Sequence, residues 1–72
     1  MNKELLLEYI ARFDITQKNL AKAMGISPST LSAKINSRGG AEFTELEMQF
    51  IKARYGLDID EFNRIFFAEL VS

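Results

Sequence analysis

The sequence contains no cysteine and no histidine, and each absence removes a class of function. Without cysteine the chain forms no disulfide, which fits a reducing compartment. Without histidine it lacks the commonest general base and the commonest metal ligand, and its carboxylates form no separate cluster that would replace them. A chain of 72 residues is also too short to enclose a deep pocket. We therefore expect neither an enzyme nor a site for a metal, a cofactor or a small-molecule substrate.

Long apolar runs are absent as well. No stretch approaches the roughly 18 residues of a membrane span. The apolar N-terminus is interrupted by Glu4 and Glu8, unlike a secretory signal. We therefore expect one small domain over residues 1–72, located in the cytoplasm and not bound to a membrane.

The charged residues divide unevenly along the chain, although the net charge is only −1. Residues 1–40 carry six cationic and three acidic side chains, whereas residues 41–72 carry three cationic and seven acidic ones. This asymmetry predicts a basic surface and an acidic surface. The alternative is two ordinary solvated surfaces, since no run of like charge is long.

The spacing of apolar residues predicts helices throughout and no strand. We expect five helices: residues 3–13, 17–24 and 28–36, a fourth between Thr44 and Gly56, and a fifth that starts near Asp58 or Asp60. The fold class is therefore an all-α compact bundle of about five short helices. The side chains expected to face the core are Leu6, Tyr9, Ile10 and Phe13 in the first helix, a row of Leu46, Phe50 and Ala53 widened by Met48, Ile51 and Tyr55 in the fourth, and Phe62, Ile65 and Phe66 in the fifth.

The segment QKNLAKAMGISPSTLSAKIN, residues 17–36, carries the most information. Ala21 is small enough to lie where two helices cross closely, and Gly25 suits a left-handed turn after the first of them. Ser27 and Pro28 suit the cap and first position of the next helix. Apolar residues at the required intervals bury both helices: Leu20, Met24, Ile26, Leu31 and Ile35. Together these are the requirements of a helix-turn-helix.

The pattern resembles the lambda-repressor-like, or Xre/Cro-type, helix-turn-helix family. The residues that carry the resemblance are Gln17, Leu20, Ala21, Gly25, Ile26, Ser27, Leu31 and Asn36. The apolar cluster of the last helix also resembles small switch regulators of temperate phages from Gram-positive hosts, either Cro-like repressors or modulators of repression. The resemblance implies a transcription regulator in a bacterial host cell. The alternative is a plain helical bundle with a chance match.

The family places its third helix in the major groove of operator DNA, and the resemblance transfers this role to particular residues. Phosphate contacts fall on Gln17, Ser27 and Asn36, base contacts on Pro28, Ser29, Ser32 and Ala33, and additional phosphate charge on Lys34 and Arg38. The sequence departs from the family at Pro28, which cannot hydrogen-bond a base where the family often has glutamine. Because none of these residues makes a bidentate base contact, we expect weak direct readout that depends on a dimer or on DNA shape.

A partner protein is the alternative target. The small side chains of the third helix form a smooth surface that another helix can approach. Glu42, Glu45 and Glu47 can stand in for DNA phosphates and bind the basic face of a repressor, although the helix dipole also explains the last two. On the last helix, Phe67, Leu70 and Val71 lie outside the core stripe. They predict a homodimer seam or a contact with another protein, unless they complete a small core.

Operator binding is therefore the leading hypothesis from the sequence. An antirepressor, which binds a phage repressor protein and alters its DNA binding, is the second. A domain kept for oligomerisation, whose third helix no longer reads DNA, is the third.

Overall fold

The part of the chain that the structure describes folds into five α-helices, each opened by a side-chain cap. A computed structural model describes residues 1–68. The helices are α1 (Lys3–Phe13), α2 (Gln17–Met24), α3 (Pro28–Asn36), α4 (Glu45–Tyr55) and α5 (Ile59–Phe66), and the described residues contain no strand. The predicted all-α bundle of five short helices is confirmed, and the helix bounds agree with those expected from the sequence.

Local capping explains why the boundaries fall where they do. The hydroxyls of Thr16 and Ser27 accept hydrogen bonds from backbone N–H groups in the first turns of α2 and α3. Thr44 opens α4 with a complete capping box. Gly25 ends α2 with a φ of 74°, a conformation that glycine adopts without steric cost. Between α3 and α4 the chain forms a short 3₁₀ turn, Arg38–Gly40.

Every helix packs one face into a common hydrophobic core. α2 and α3 pack against each other, and α1 contacts both α2 and α5. Across the α1–α5 contact, the Tyr9 hydroxyl donates a hydrogen bond of 2.6 Å to Oε2 of Glu61. The buried apolar side chains are Leu6, Ile10, Leu20, Ala21, Leu31, Ile35, Ile51, Tyr55, Leu57, Phe62, Ile65 and Phe66.

The expected inner row of α4 is wrong. Leu46 is 83% exposed, Phe50 is 38% exposed and Ala53 faces solvent. Of the three residues expected to widen this row, Ile51 and Tyr55 are buried and Met48 is half-buried. Apolar residues occur all around α4, so their spacing does not select one face, and the contact with the rest of the core decides the orientation.

Two further expected core residues are less buried than predicted. Phe13 is exposed at the end of α1, where its ring stacks on that of Tyr55 with centroids 5.3 Å apart. Tyr9 is half-buried and stacks on both of these rings. Because an aromatic ring at a helix end can cover a neighbouring ring without being enclosed, the periodic pattern overestimated the burial of Phe13.

A buried carboxylate joins the end of α1 to α4. Asp14 is 5% exposed and accepts hydrogen bonds from Nε of Arg54, at 3.1 and 3.2 Å, and from Nη2, at 2.5 Å. The Tyr55 hydroxyl also donates to Asp14. The hydrogen bonds from Arg54 lower the pKa of Asp14 despite its burial, and the Tyr55 hydroxyl lowers it further. The next residue, Ile15, is 77% exposed and has a φ of 71°.

Candidate nucleic-acid interface

The outward side of α3 presents small side chains. Ser27, Pro28 and Ser29 are exposed around its N-terminus, whereas Ser32 and Ala33 are half-buried. The hydroxyl of Ser27 is occupied by its capping bond and by a hydrogen bond of 2.9 Å to the Thr30 hydroxyl. Gln17 lies at the first position of α2 and is half-buried.

The residues expected to read bases therefore lie on one short helix and offer few free polar atoms.

A polar cluster surrounds the C-terminal half of α3. The Asn36 amide donates to the carbonyl of Ser32, at 2.8 Å. Nη2 of Arg38 donates to Oγ of Ser32, also at 2.8 Å. The ammonium of Lys3 donates to Oδ1 of Asn36, at 2.9 Å, and thus brings a cation from α1 to this cluster. Sequence reasoning missed Lys3 because the contact spans 33 positions of the chain and has no local signal.

Unlike the other cations near α3, Lys34 is directed toward the start of α4. Its ammonium lies 2.8 Å from Oε1 of Glu47 and 3.2 Å from the carbonyl oxygen of Glu42. The two paired side chains are only 16% and 20% exposed. At about 100° per residue, Lys34 falls only about 60° from the buried Leu31 on the helical wheel. Lys34 therefore joins α3 to the start of α4, and its charge does not point along the outward side of α3.

The electrostatics of Glu47 agree with this placement. Partial burial acts to raise the pKa of this carboxyl, but hydrogen bonds from Lys34 and from the Thr44 backbone lower it by more. Glu47 is consequently held in its ionised form and neutralises Lys34. Glu42 and Glu45 are exposed nearby in the chain. The junction between α3 and α4 thus presents two exposed carboxylates and the exposed guanidinium of Arg38 beside one neutralised pair.

The apolar residues expected to form a contact on the last helix have a mixed outcome. Phe67 is half-buried and packs edge-on against Phe62, with centroids 5.8 Å apart. It also lines a small cavity together with Phe43 and Phe66. Leu70 and Val71 lie outside the described residues. Phe67 therefore contributes mainly to the core side of α5.

A different apolar surface lies on α4. Leu46, Gln49, Phe50 and Ala53 are all exposed and follow one side of the helix. We call these four residues the α4 stripe. The sequence pattern had assigned three of them to the core, so this surface was not expected.

Two further features bear on function class. Within residues 1–68, no three acidic, histidine or cysteine side chains lie close enough to hold a metal ion. No helix in that part of the chain is long and apolar enough to cross a membrane.

Comparison with protein families, with curated proteins and with solved structures yields no match.

Proposed function

We propose that this chain is a transcription regulator of a phage-type genetic switch, and that it acts mainly on a partner repressor protein. The observation that carries the proposal is the pairing of Lys34 with Glu47, at 2.8 Å. It removes the one cation on α3 from the outward surface. Glu42 and Glu45 remain exposed at the same junction. The carboxylates of Glu42 and Glu45 repel DNA phosphates and attract the lysines and arginines that a repressor uses to bind those phosphates.

The shape of α3 supports the same function. Pro28, Ser29 and Ala33 carry no long side chain, so a helix of another protein can approach this side closely. The same residues are poor readers of base edges, because none donates a bidentate hydrogen bond. In this proposal the chain covers the DNA-facing surface of the repressor and thereby lowers the occupancy of its operator.

Direct operator binding is the second candidate, and one observation favours it. Asn36, Arg38 and Lys3 form an exposed polar cluster at the end of α3, where a phosphate could replace their internal hydrogen bonds. Gln17 and Ser27, at the beginnings of α2 and α3, lie beside backbone N–H groups that favour anions. Specificity would then come from DNA shape or from a second copy of the chain.

Charge reversal at Glu42 separates the two candidates. Calorimetric titration of the repressor encoded beside this chain is expected to show that Glu42→Lys weakens binding by about tenfold or more, because a carboxylate facing a cation becomes a like charge. Glu8→Lys is the matched control, since it makes the same charge change at an exposed position on α1. Equal affinities of the two variants would contradict the proposed surface. Loss of regulation on Arg38→Glu, with Glu42→Lys fully active, would favour operator binding.

A further inference from the structure

The α4 stripe is an apolar surface that nothing within the described chain covers. Leu46 is 83% exposed and Phe50 is 38% exposed. At about 100° per residue, the four residues of the stripe fall within about 100° of the helix circumference. This width equals that of a helix face that packs against one neighbouring helix. The surface is therefore suited to a helical partner.

The charges beside the stripe are arranged in a self-complementary way. On one flank Glu45 precedes Lys52, whereas on the other flank Glu47 and Arg54 are already paired within the chain, with Lys34 and with Asp14. Two copies of α4 can pair antiparallel about a twofold axis that passes between Gln49 and Phe50. Each flank of one helix then lies beside the same flank of the partner helix, with the order of the residues reversed. Glu45 then lies near Lys52 of the partner subunit. The helix dipoles also oppose each other in this arrangement, which is favourable.

The same register places an exposed side chain of one copy over a depression in the surface of the other. A twofold axis at that point places Leu46 opposite Ala53 of the partner subunit. A shallow depression lies beside Ala53. It is lined by Gln49, Lys52, Ala53, Gly56 and Leu57. The exposed Leu46 side chain of one copy therefore falls over this depression of the other.

We propose that the α4 stripe is the contact surface of a homodimer in which two α4 helices pair antiparallel. The exposed stripe, the reversed order of charges and the depression beside Ala53 each favour a second copy of this chain as the occupant. This inference goes beyond the proposed function, since it concerns neither DNA nor the repressor. α4 has 11 residues and is about 16 Å long. Such a contact lies at the low end of interface sizes, so the dimer is weak, with a Kd on the order of 100 µM.

Sedimentation equilibrium on the full chain alone tests the dimer, over a series from about 10 µM to about 1 mM. The wild type is expected to shift from monomer to dimer across this range. Leu46→Glu is expected to raise the Kd by at least about tenfold, because it buries a carboxylate in the apolar seam. Ile59→Glu is the matched control: it makes the same change at an exposed apolar residue outside the stripe, and it should leave the Kd unchanged.

A charge exchange tests the antiparallel register. Glu45→Lys and Lys52→Glu are each expected to weaken the dimer several-fold, because each brings like charges together. The double variant restores opposite charges and should return the Kd to within about twofold of the wild-type value.

Three results would overturn the homodimer. They are a wild type that stays monomeric at every concentration, a control variant as damaging as Leu46→Glu, and a double variant no better than the single ones. If the wild type stays monomeric while Leu46→Glu loses affinity for the repressor, the α4 stripe is a contact surface for the repressor instead. Because the assay contains neither repressor nor DNA, its failure leaves the proposed function standing.

Discussion

The ammonium of Lys34 lies 2.8 Å from the carboxylate of Glu47, and this pair fixes the C-terminal half of α3 against the first turn of α4. Glu47 also accepts a hydrogen bond from the backbone N–H of Thr44 in the capping box of α4. One carboxylate therefore stabilises a helix start and neutralises a neighbouring helix. This double role has consequences for both stability and binding.

Replacing Glu47 by glutamine separates the two roles. Glutamine retains the capping box, so only the ion pair with Lys34 is lost. We expect Glu47→Gln to lower the free energy of unfolding by about 0.5–1 kcal/mol. Because the pKa of Glu47 is lowered in the folded state, this contribution is present above its unfolded pKa and is lost as the pH falls through the folded pKa. Urea denaturation at neutral pH measures the change.

Glu45→Gln is the control for this variant. Glu45 lies in the same turn of α4 and is exposed, and its removal should change stability by less than about 0.5 kcal/mol. If the two variants lose equal amounts of stability, the Lys34–Glu47 ion pair contributes no more to stability than any other negative charge in this turn.

The Asp14–Arg54 pair predicts a larger effect. Asp14→Asn leaves the guanidinium of Arg54 and the hydroxyl of Tyr55 without an anionic acceptor. Arg54 is partly solvated, so we expect the loss of stability to be smaller than for a fully buried pair, about 2–3 kcal/mol. Chemical denaturation at pH 7 gives the value, with the exposed Asp60→Asn as the control. A loss no larger than that of the control would contradict the role of Asp14 as the link between α1 and α4.

The same carboxylate predicts how stability depends on pH. The pKa of Asp14 is lowered in the folded chain, so its stabilisation is complete above the unfolded value near 3.9 and disappears as the pH falls through the folded value. The wild type should lose stability below about pH 4 more steeply than Asp14→Asn does. Thermal unfolding across pH 2–5 compares the two proteins, and parallel curves would contradict the assignment.

Sequence reasoning was most accurate where the signals are local. Thr16, Gly25, Ser27 and Thr44 act within one turn of the chain, and each marks a helix boundary that the structure confirms. The contacts that determine the candidate surface are not local. Lys34 and Glu47 are 13 positions apart and Asp14 and Arg54 are 40 apart, so no helical period connects them.

The orientation of α4 shows the same limit. Leu46, Phe50, Ile51 and Tyr55 are all apolar or aromatic and occupy different sides of one helix, so periodicity fits more than one buried face. Only the packing against the other helices selects Ile51 and Tyr55. The α4 stripe is consequently a product of tertiary structure that the sequence pattern had placed in the core.

Ile15 offers a gain in stability. This β-branched residue has a φ of 71°, which is sterically unfavourable, and its side chain is 77% exposed. Asparagine tolerates the left-handed region better, so Ile15→Asn should raise the free energy of unfolding by about 0.5–1 kcal/mol. The control is Ile59→Asn, an exposed isoleucine in ordinary helical conformation, which should give no gain. A destabilised Ile15→Asn would indicate that the exposed side chain contributes to packing.

Gly25 predicts a loss of purely backbone origin. A Cβ added at this position meets no atom within 4 Å, so an alanine causes no clash. Its φ of 74° still penalises alanine, and Gly25→Ala should cost about 1 kcal/mol. For a domain of this size the melting temperature should fall by about 4–8 °C. Gly25→Asn should lose less stability than Gly25→Ala. A larger loss for Gly25→Asn would show that the backbone conformation is not the cause.

We propose that the chain acts on a repressor protein and not directly on DNA. Fluorescence anisotropy of the duplex that flanks its own gene tests it, at two salt concentrations, with and without the neighbouring repressor. We expect no specific binding by this chain alone, and release of the repressor from the duplex as the chain is added. Specific binding by the chain alone, weakening steeply as salt rises, would contradict the claim and identify the chain as a DNA reader.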